Sequence, residues 1–516
     1  MTLSGRYATV GGAVRQLLKL GESGGGVVPP PAPLPGELFT ASPTFSLAAP
    51  TWRDGTAITG DALTSFQRVQ NRVEWYLNDY QAGVIESAWD IYATASGGNS
   101  YAMTRHMTAQ LQGLAMTLAV TGWDAIPKLF AEAWNKMAQS RTTGWANPTG
   151  SNPVPGWTET NYYQWLWKEN SGNSYYGRDV NYLEEELIGF LLALVIRICY
   201  DNRGIAECNA AYLEAKDHLV NHHLPKYWSR LAAYEPVPGG HFYKESWPFV
   251  RGTYIHMIVP YLLQLSLLEP LAGDAGLPNA SVLPTAIGYV SGELFGLRYG
   301  QSLNSYYGSG GSAALNGGLH TISTPDGEAY VCGWGTTRYP LQNDATAPGY
   351  AKTSYRPAFS QYWTGIYRNL SLLGMLRPDV FGAAVMGRFV NSMKHTYWRK
   401  SAAQLTGKGD YDNTWLSQDK SYYNADGTTK VAGQDIVTNE GPTIPKIWDL
   451  NERTPEPIGN MNTSNPMYLA AWDASLLDYA TAVESINGMD VPNPPTLQHA
   501  TAAVFAYGAM RTGALS

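Results

Sequence analysis

From about residue 61 onward, apolar residues recur at three- and four-residue steps, the period of helices that bury one face. Over 61–77 the repeat is Leu63, Phe66, Val69, Val73, Tyr76 and Leu77, with Asp61 placed to cap the start. Met107, Leu111, Leu114 and Leu118 carry a second segment over 103–120, ending near Gly122. Ile126, Leu129, Phe130 and Trp134 carry a third over 123–138. A fourth, 180–201, is apolar on most sides through Leu187, Ile188, Leu191, Leu192, Val195 and Ile196, as suits a helix packed between others. Further helices are predicted at 205–232 (kinked or split at Pro225), 247–268, 281–297, 357–374, 379–397, 465–486 and 497–511. Most connections are short, and short connections make neighbours antiparallel. The chain is therefore expected to be mainly α, a stack of αα-hairpins. No exact repeat at a solenoid period is visible.

Long irregular insertions fall at 139–178, 298–356 and 400–464, rich in Tyr, Trp, Gly and Asn. Loops held by a rigid scaffold are where sites tend to lie. Within 319–339 a Pro-Asp-Gly turn between β-favouring runs predicts a small β-hairpin. At the other end, 21–36 alternates flexible glycines with stiff prolines, which lack the N–H that helix or sheet needs. The expected order is an anchor at 1–20, a linker and extended lead-in at 21–60, and a helical body at 61–400. An insertion at 401–464 and C-terminal helices at 465–516 complete the body. A disordered tail is the other reading of the N-terminal arm.

Composition narrows the function classes. Charged residues are only 15% of the 516, against about a quarter in ordinary domains. Gly, Tyr and Trp are abundant, at 53, 34 and 17. A surface covered by neutral polar and aromatic groups suits a carbohydrate binder, or a subunit that buries polar surface against neighbours. The net charge of −7 and the lack of a basic run argue against a nucleic-acid partner. The longest apolar run, 187–196, is too short to insert in a membrane. The first ten residues show no basic segment followed by an apolar one, so synthesis in a cytoplasm without a secretory signal is expected. The cysteines are Cys199, Cys208 and Cys332, with no CxxC pair. Cys199 reads as a small core residue, a Cys199–Cys208 disulfide being the alternative. His222 and His223 give only a weak metal signal, and neither metal nor cofactor is expected.

Three junctions between loop and helix share one make-up. The first holds Trp165, Trp167, Asn173, Tyr175, Tyr176 and Arg178. The second holds His241, Tyr243, Arg251, Tyr254 and His256, and the third Tyr355 and Arg356. Each joins aromatics and a cation to the start of an apolar helix. If the hairpins curve into a ring, these junctions meet at one mouth of it. The pattern resembles the (α/α)-toroid polysaccharide lyases, the alginate-lyase-like group in particular, over roughly 60–400. That resemblance implies an incomplete (α/α) toroid acting on an acidic polysaccharide by β-elimination. In such lyases Asn and Arg neutralise the uronate carboxylate while His or Tyr moves the C5 proton. It implies catalytic roles for His241, Tyr243, Arg251 and Tyr254. Substrate contacts are implied for Trp165, Trp167, Asn173, Tyr175, Tyr176, Arg178, Tyr355 and Arg356. The chain departs from the family in having Asn173-Ser-Tyr where an Asn-His pair is usual, and in the spacing after Arg251.

Structural readings stand beside these. His241 suits a loop contact, His256 a core position, and Tyr175, Tyr176 and Tyr243 helix packing. Arg251 suits an ion pair with Glu245, and the tryptophans suit a core. A hydrolase would need two facing carboxylates, for which Glu169, Asp179 and Glu245 are the candidates. Three functions therefore stay open. One is a particle-borne glycan-degrading enzyme, such as a phage virion carries on a spike or fibre. The second is a non-catalytic virion or cell-surface subunit that adsorbs to glycans. The third is a purely structural subunit. Each would meet its particle through residues 1–36, and a homo-oligomer is expected.

Overall fold

The chain is mainly helical. The computed structural model describes residues 50–79, 91–143, 163–166, 182–223, 254–271, 319–332, 366–397, 436–437, 443–444, 464–478 and 497–512, with 273, 274, 277, 287 and 291. The longer helices are α1 (Gly60–Glu74), α2 (Ile91–Gly97), α3 (Thr108–Thr121), α4 (Ala125–Gln139), α5 (Tyr182–Asp201) and α6 (Ala206–His218). They continue with α7 (Tyr254–Leu268), α8 (Ile366–Leu376), α9 (Ala383–Asn391), α10 (Ser464–Leu469) and α11 (Leu497–Thr512). Three antiparallel strand pairs join β1 (Thr142–Thr143) to β2 (Tyr163–Gln164), β3 (Leu319–Thr324) to β4 (Gly327–Cys332) and β5 (Ile436–Val437) to β6 (Thr443–Ile444). The anchor and linker at 1–36 lie outside the described residues. Among the described residues, no helix is long and apolar enough to cross a membrane.

Contacts divide the described chain into two compact units. The first holds 50–223, 263–277 and 497–512, and the second 254–262 and 287–478.

In the first unit every residue of α3 is buried. Small and apolar residues recur around its circumference, and the polar ones among them, Gln110, Gln112 and three threonines, are buried with the rest. Its hydroxyls bond back to its own carbonyls, Thr117 to Gly113 at 3.0 Å and Thr121 to Thr117 at 2.9 Å. Gln110 accepts from the Tyr76 hydroxyl at 3.3 Å. Gly122, at φ +69°, stops the helix in the left-handed conformation that glycine adopts without a Cβ clash, as expected from its sequence. The lead-in at 50–58 covers that end. The Arg53 N–H donates to the Val120 carbonyl at 2.9 Å, and its guanidinium reaches the Ala119 carbonyl at 3.3 Å.

The C-terminal helix α11 packs on both α3 and α1. Their approach is set by Gly508, where a Cβ would stand 2.7 Å from the Val120 Cβ and 2.9 Å from the Trp52 ring. Arg511 ties the same helix to Asp54 at 2.8 Å. Bonds from Thr56, then from Arg511, hold the Asp54 carboxyl far below the usual carboxylate range. Helices α4, α5 and α6 pack on one another. Residues 187–199 of α5 are buried without interruption, as its all-round apolar sequence requires.

π-helical turns follow or precede three helices of this unit: Trp75–Asp79 after α1, Met103–Met107 before α3 and Leu219–His223 after α6. Asp61, expected as a cap, lies in the first turn of α1. The capping position belongs to Thr59, two residues earlier, because the helix begins at Gly60, φ +62°; Thr59 makes no side-chain cap bond.

In the second unit the expected hairpin forms with Leu319 opposite Cys332 and Thr324 opposite Gly327. It docks on α9. The Tyr330 and Phe389 rings are 4.8 Å apart, and Asn391 donates to the carbonyls of Asp326 and Glu328 at 3.1 and 2.9 Å. Arg388 pairs with Glu328, and Lys394 bridges Asp326 at 2.7 Å and Asp473 at 3.2 Å. Helix α8 is joined to α10 by the Ser371 hydroxyl donating to the Tyr468 carbonyl at 2.9 Å. It also buries Arg368, whose pKa burial pushes down to about 10.

Gly508→Ala tests the close approach of α11 to α3. Overpacking costs about 1–3 kcal/mol, against a helix-propensity gain of about 1 kcal/mol. A lower thermal midpoint is expected. A raised midpoint, the result for a helix glycine with free space, would show that the two helices are not in contact there.

Candidate functional site

Helix α6 places Glu214 and His218 one turn apart on one face, and the π-helical turn that follows sets the His222 ring beside that of His218. The facing helix α4 supplies Trp134, and the residue pair after its end supplies Arg141. The strand pair β1–β2 then returns the chain, with Thr142 opposite Gln164, and brings Trp165 against the same group. The next residue, Leu166, accepts from the Ser100 N–H at 3.0 Å, which fixes this short stretch to the turn of helix that leads into α3.

Arg141 lies at the centre of the cluster with its side chain only 4% exposed. Its Nη2 donates to Glu214 Oε1 at 2.7 Å, its Nε to the Ala138 carbonyl at 3.0 Å, and its Nη1 meets His218 Nδ1 at 3.0 Å. A guanidinium has donors only, so His218 accepts at Nδ1 and carries its ring proton on Nε2. Glu214 Oε2 accepts from the Trp134 indole at 2.8 Å, so both carboxylate oxygens are bonded. The Trp165 indole donates to the Met137 carbonyl at 3.0 Å. Its ring centroid lies 5.0 Å from that of His218 and 6.4 Å from that of Trp134, edge to face with the latter. The guanidinium stands 5.7 Å from the centre of the Trp134 ring. Aromatic walls thus shield the Arg141 side of a hydrogen-bonded charge pair from water, which raises the cost of removing one partner.

The cluster opens to solvent along one edge. The Glu214 side chain is 24% exposed, and His222 is half-buried with its ring 5.5 Å from that of His218. Burial lowers the His222 pKa below its ordinary value; Asp217 opposes the shift and Arg141 adds to it. His222 is therefore a neutral imidazole near pH 7, able to accept a proton or a hydrogen bond. Among the described residues no three His, Cys, Asp or Glu side chains gather as a metal site would need.

Of the residues nominated from the sequence, the structure describes Trp165 and the backbone of Tyr254. Trp165 is completely buried, which corrects its reading as an open sugar platform; its flat faces are covered by the cluster. Tyr254 begins α7. Trp167, Asn173, Tyr175, Tyr176, Arg178, His241, Tyr243, Arg251, Tyr355 and Arg356 lie outside the described residues, as do Glu169, Asp179 and Glu245. Two of the nominated stretches leave the described chain at this cluster: 167–178 follows Leu166, and 224–253 follows His223. Arg141, Glu214 and His218 were missed, and His222 was considered only as a weak metal signal. Their signal was the Glu-x-x-x-His-x-x-x-His spacing over 214–222.

Two outcomes test this geometry. Trp165→Ala should lower stability by about 3–5 kcal/mol, the cost of emptying a packed aromatic position. A chain unfolding in urea at an unchanged midpoint would mean that the indole is not enclosed. The second test uses pH. Since the folded chain depresses the His222 pKa, the unfolded chain binds more protons below about pH 6.5. Stability is then complete above that pH and declines as the pH falls through the window below it. His222→Asn should flatten the acid side of the stability curve. An unchanged slope would contradict the burial of His222. No protein-family model, characterised protein or solved structure matches the chain, so these side chains carry the functional reading.

Proposed function

We propose that the chain is a polysaccharide-binding protein carried on a larger particle, of the kind a phage virion uses to meet a bacterial surface. The observation that carries the reading is the cluster around Arg141. Trp134, Trp165 and His218 enclose the Arg141–Glu214 pair, and its open edge presents a neutral imidazole and a carboxylate edge. Sugar hydroxyls are recognised by such donors and acceptors, and the buried Trp134 and Trp165 position these groups without touching the ligand themselves. The low charge and high aromatic content of the chain support the same class of ligand. Residues 167–178 and 239–254, which join the described chain at Leu166, His223 and α7, supply further aromatics and cations in this proposal. In it the helical hairpins form an incomplete toroid, and residues 1–36 tether the body to its particle.

β-Elimination on an acidic polysaccharide is a second reading, favoured by one observation. Burial holds His222 in the neutral form, in which it would accept the proton. In this reading the guanidiniums of Arg178 and Arg251 would neutralise the uronate carboxylate, while His241, Tyr243 and Tyr254 share the proton transfer.

Retardation of the full chain in gels containing acidic or neutral bacterial polysaccharides tests binding. At least one polymer should retard it, and His222→Ala should weaken that retardation roughly tenfold, the value of a contact worth about 1.4 kcal/mol. Uniform mobility across a broad panel would overturn the reading. Ultraviolet absorbance of an unsaturated product separates the two readings. A rise with a bound polymer establishes elimination, and a flat trace with retained retardation leaves binding alone. Deleting residues 1–36 should release the body from its particle and leave its helical circular dichroism intact; loss of that signal would contradict a tether.

A further inference from the structure

Cys199 and Cys208 are both completely buried, and they occupy facing positions of a helical hairpin. Helix α5 ends at Asp201 and α6 begins at Ala206. The reversal between them is fixed by hydrogen bonds: Asn202 N–H to the Cys199 carbonyl at 3.2 Å, Ile205 N–H to the Asn202 carbonyl at 2.9 Å, and Asn209 N–H to the Ile205 carbonyl at 3.0 Å. Ile205 sits in extended backbone just before α6, which turns the chain back on itself. The Tyr200 and Tyr212 rings, 5.2 Å apart, hold the same two helices side by side. With the reversal so tight and the two helices packed along one another, the thiol two residues before the end of α5 lies beside the thiol near the start of α6.

We propose that Cys199 and Cys208 are an oxidisable pair that a hydroperoxide converts to a disulfide, stapling the α5–α6 hairpin at its turn. The reaction balances as two thiols and one peroxide giving one disulfide and two waters. One sulfur attacks a peroxide oxygen, the O–O bond breaks, and the products are a sulfenic acid and water. The second sulfur then attacks the first, the S–O bond breaks, and the hydroxide takes up the second thiol proton and leaves as water. The resting pair is reduced and slow to react, because burial pushes the Cys199 thiol well up and keeps it protonated. Peroxide is small enough to reach it when the exposed turn at Arg203 and Gly204 opens. Once the first sulfur is oxidised, the nearest nucleophile is the other thiol of the pair. The same burial then shields the disulfide from bulky reductants. Helix α6 also carries Glu214 and His218, so the staple fixes the far end of the helix that holds the Arg141 cluster.

The test is a peptide map of the full-length chain after hydrogen peroxide treatment. The remaining thiols are alkylated in denaturant before tryptic digestion without reductant. Trypsin cuts after Arg197, Arg203 and Lys216, so the two cysteines fall in separate peptides, 198–203 and 204–216. The proposal predicts that these two peptides are recovered as one disulfide-linked species, parted by dithiothreitol, and that Cys332→Ser does not alter the yield. Recovery of the two peptides unlinked, whether alkylated or oxidised singly to sulfinic acid, would overturn it. So would linkage of either to the Cys332 peptide.

Discussion

The first unit depends on the burial of α3 from every side. A helix that is small and apolar on most sides gains little from facing water, and it is stable only where neighbours cover it. The lead-in at 50–58 covers its end, α4 and α5 pack on it, and a further face belongs to α11, the last of the described helices. The unit is thus completed by residues nearly four hundred positions further along. Gly508 sets how closely α11 approaches, and the Arg511–Asp54 pair fixes its end in register with the lead-in. The packed α4–α5–α6 group continues from this core and delivers the aromatic and charged side chains of the Arg141 cluster to one place.

Helix positions were largely legible, because burial of one face leaves a period that no tertiary detail erases. The boundaries of α3, α4, α5 and α11 agree with the expected segments to within a few residues, and the Pro-Asp-Gly turn is where the strand pattern places it. The cap of α1 was misplaced by two residues because Gly60 adopts positive φ, a choice a glycine leaves open in sequence. The π-helical turns were not legible at all. An added residue in a turn of helix leaves the apolar repeat over Trp75–Asp79 and Leu219–His223 nearly unchanged.

Little of the Arg141 cluster was legible in the sequence. Trp165 was singled out for its aromatic surroundings, and it does belong to the cluster, but as a buried wall. Exposure depends on what lies above a ring, and a local run such as Trp165-Leu-Trp does not contain that information. Arg141 stands in no local pattern that marks it. Its importance comes from Glu214 and His218, more than seventy residues away, and sequence spacing alone cannot show that they meet. The Glu214–His218–His222 stripe was available as a pattern. It is distinguished from a solvated helix face only by Trp134 and Trp165 packed against it.

The central claim is that the edge of the Arg141 cluster is where a glycan makes contact. The most direct measurement is acylation of His222 by diethyl pyrocarbonate in the full chain, followed by mass spectrometry, with and without a polysaccharide that retards the protein. A half-buried neutral imidazole should be modified in the free chain and protected at saturating polysaccharide. Modification of His222 at the same rate in the saturated complex would place glycan contact elsewhere and contradict the account.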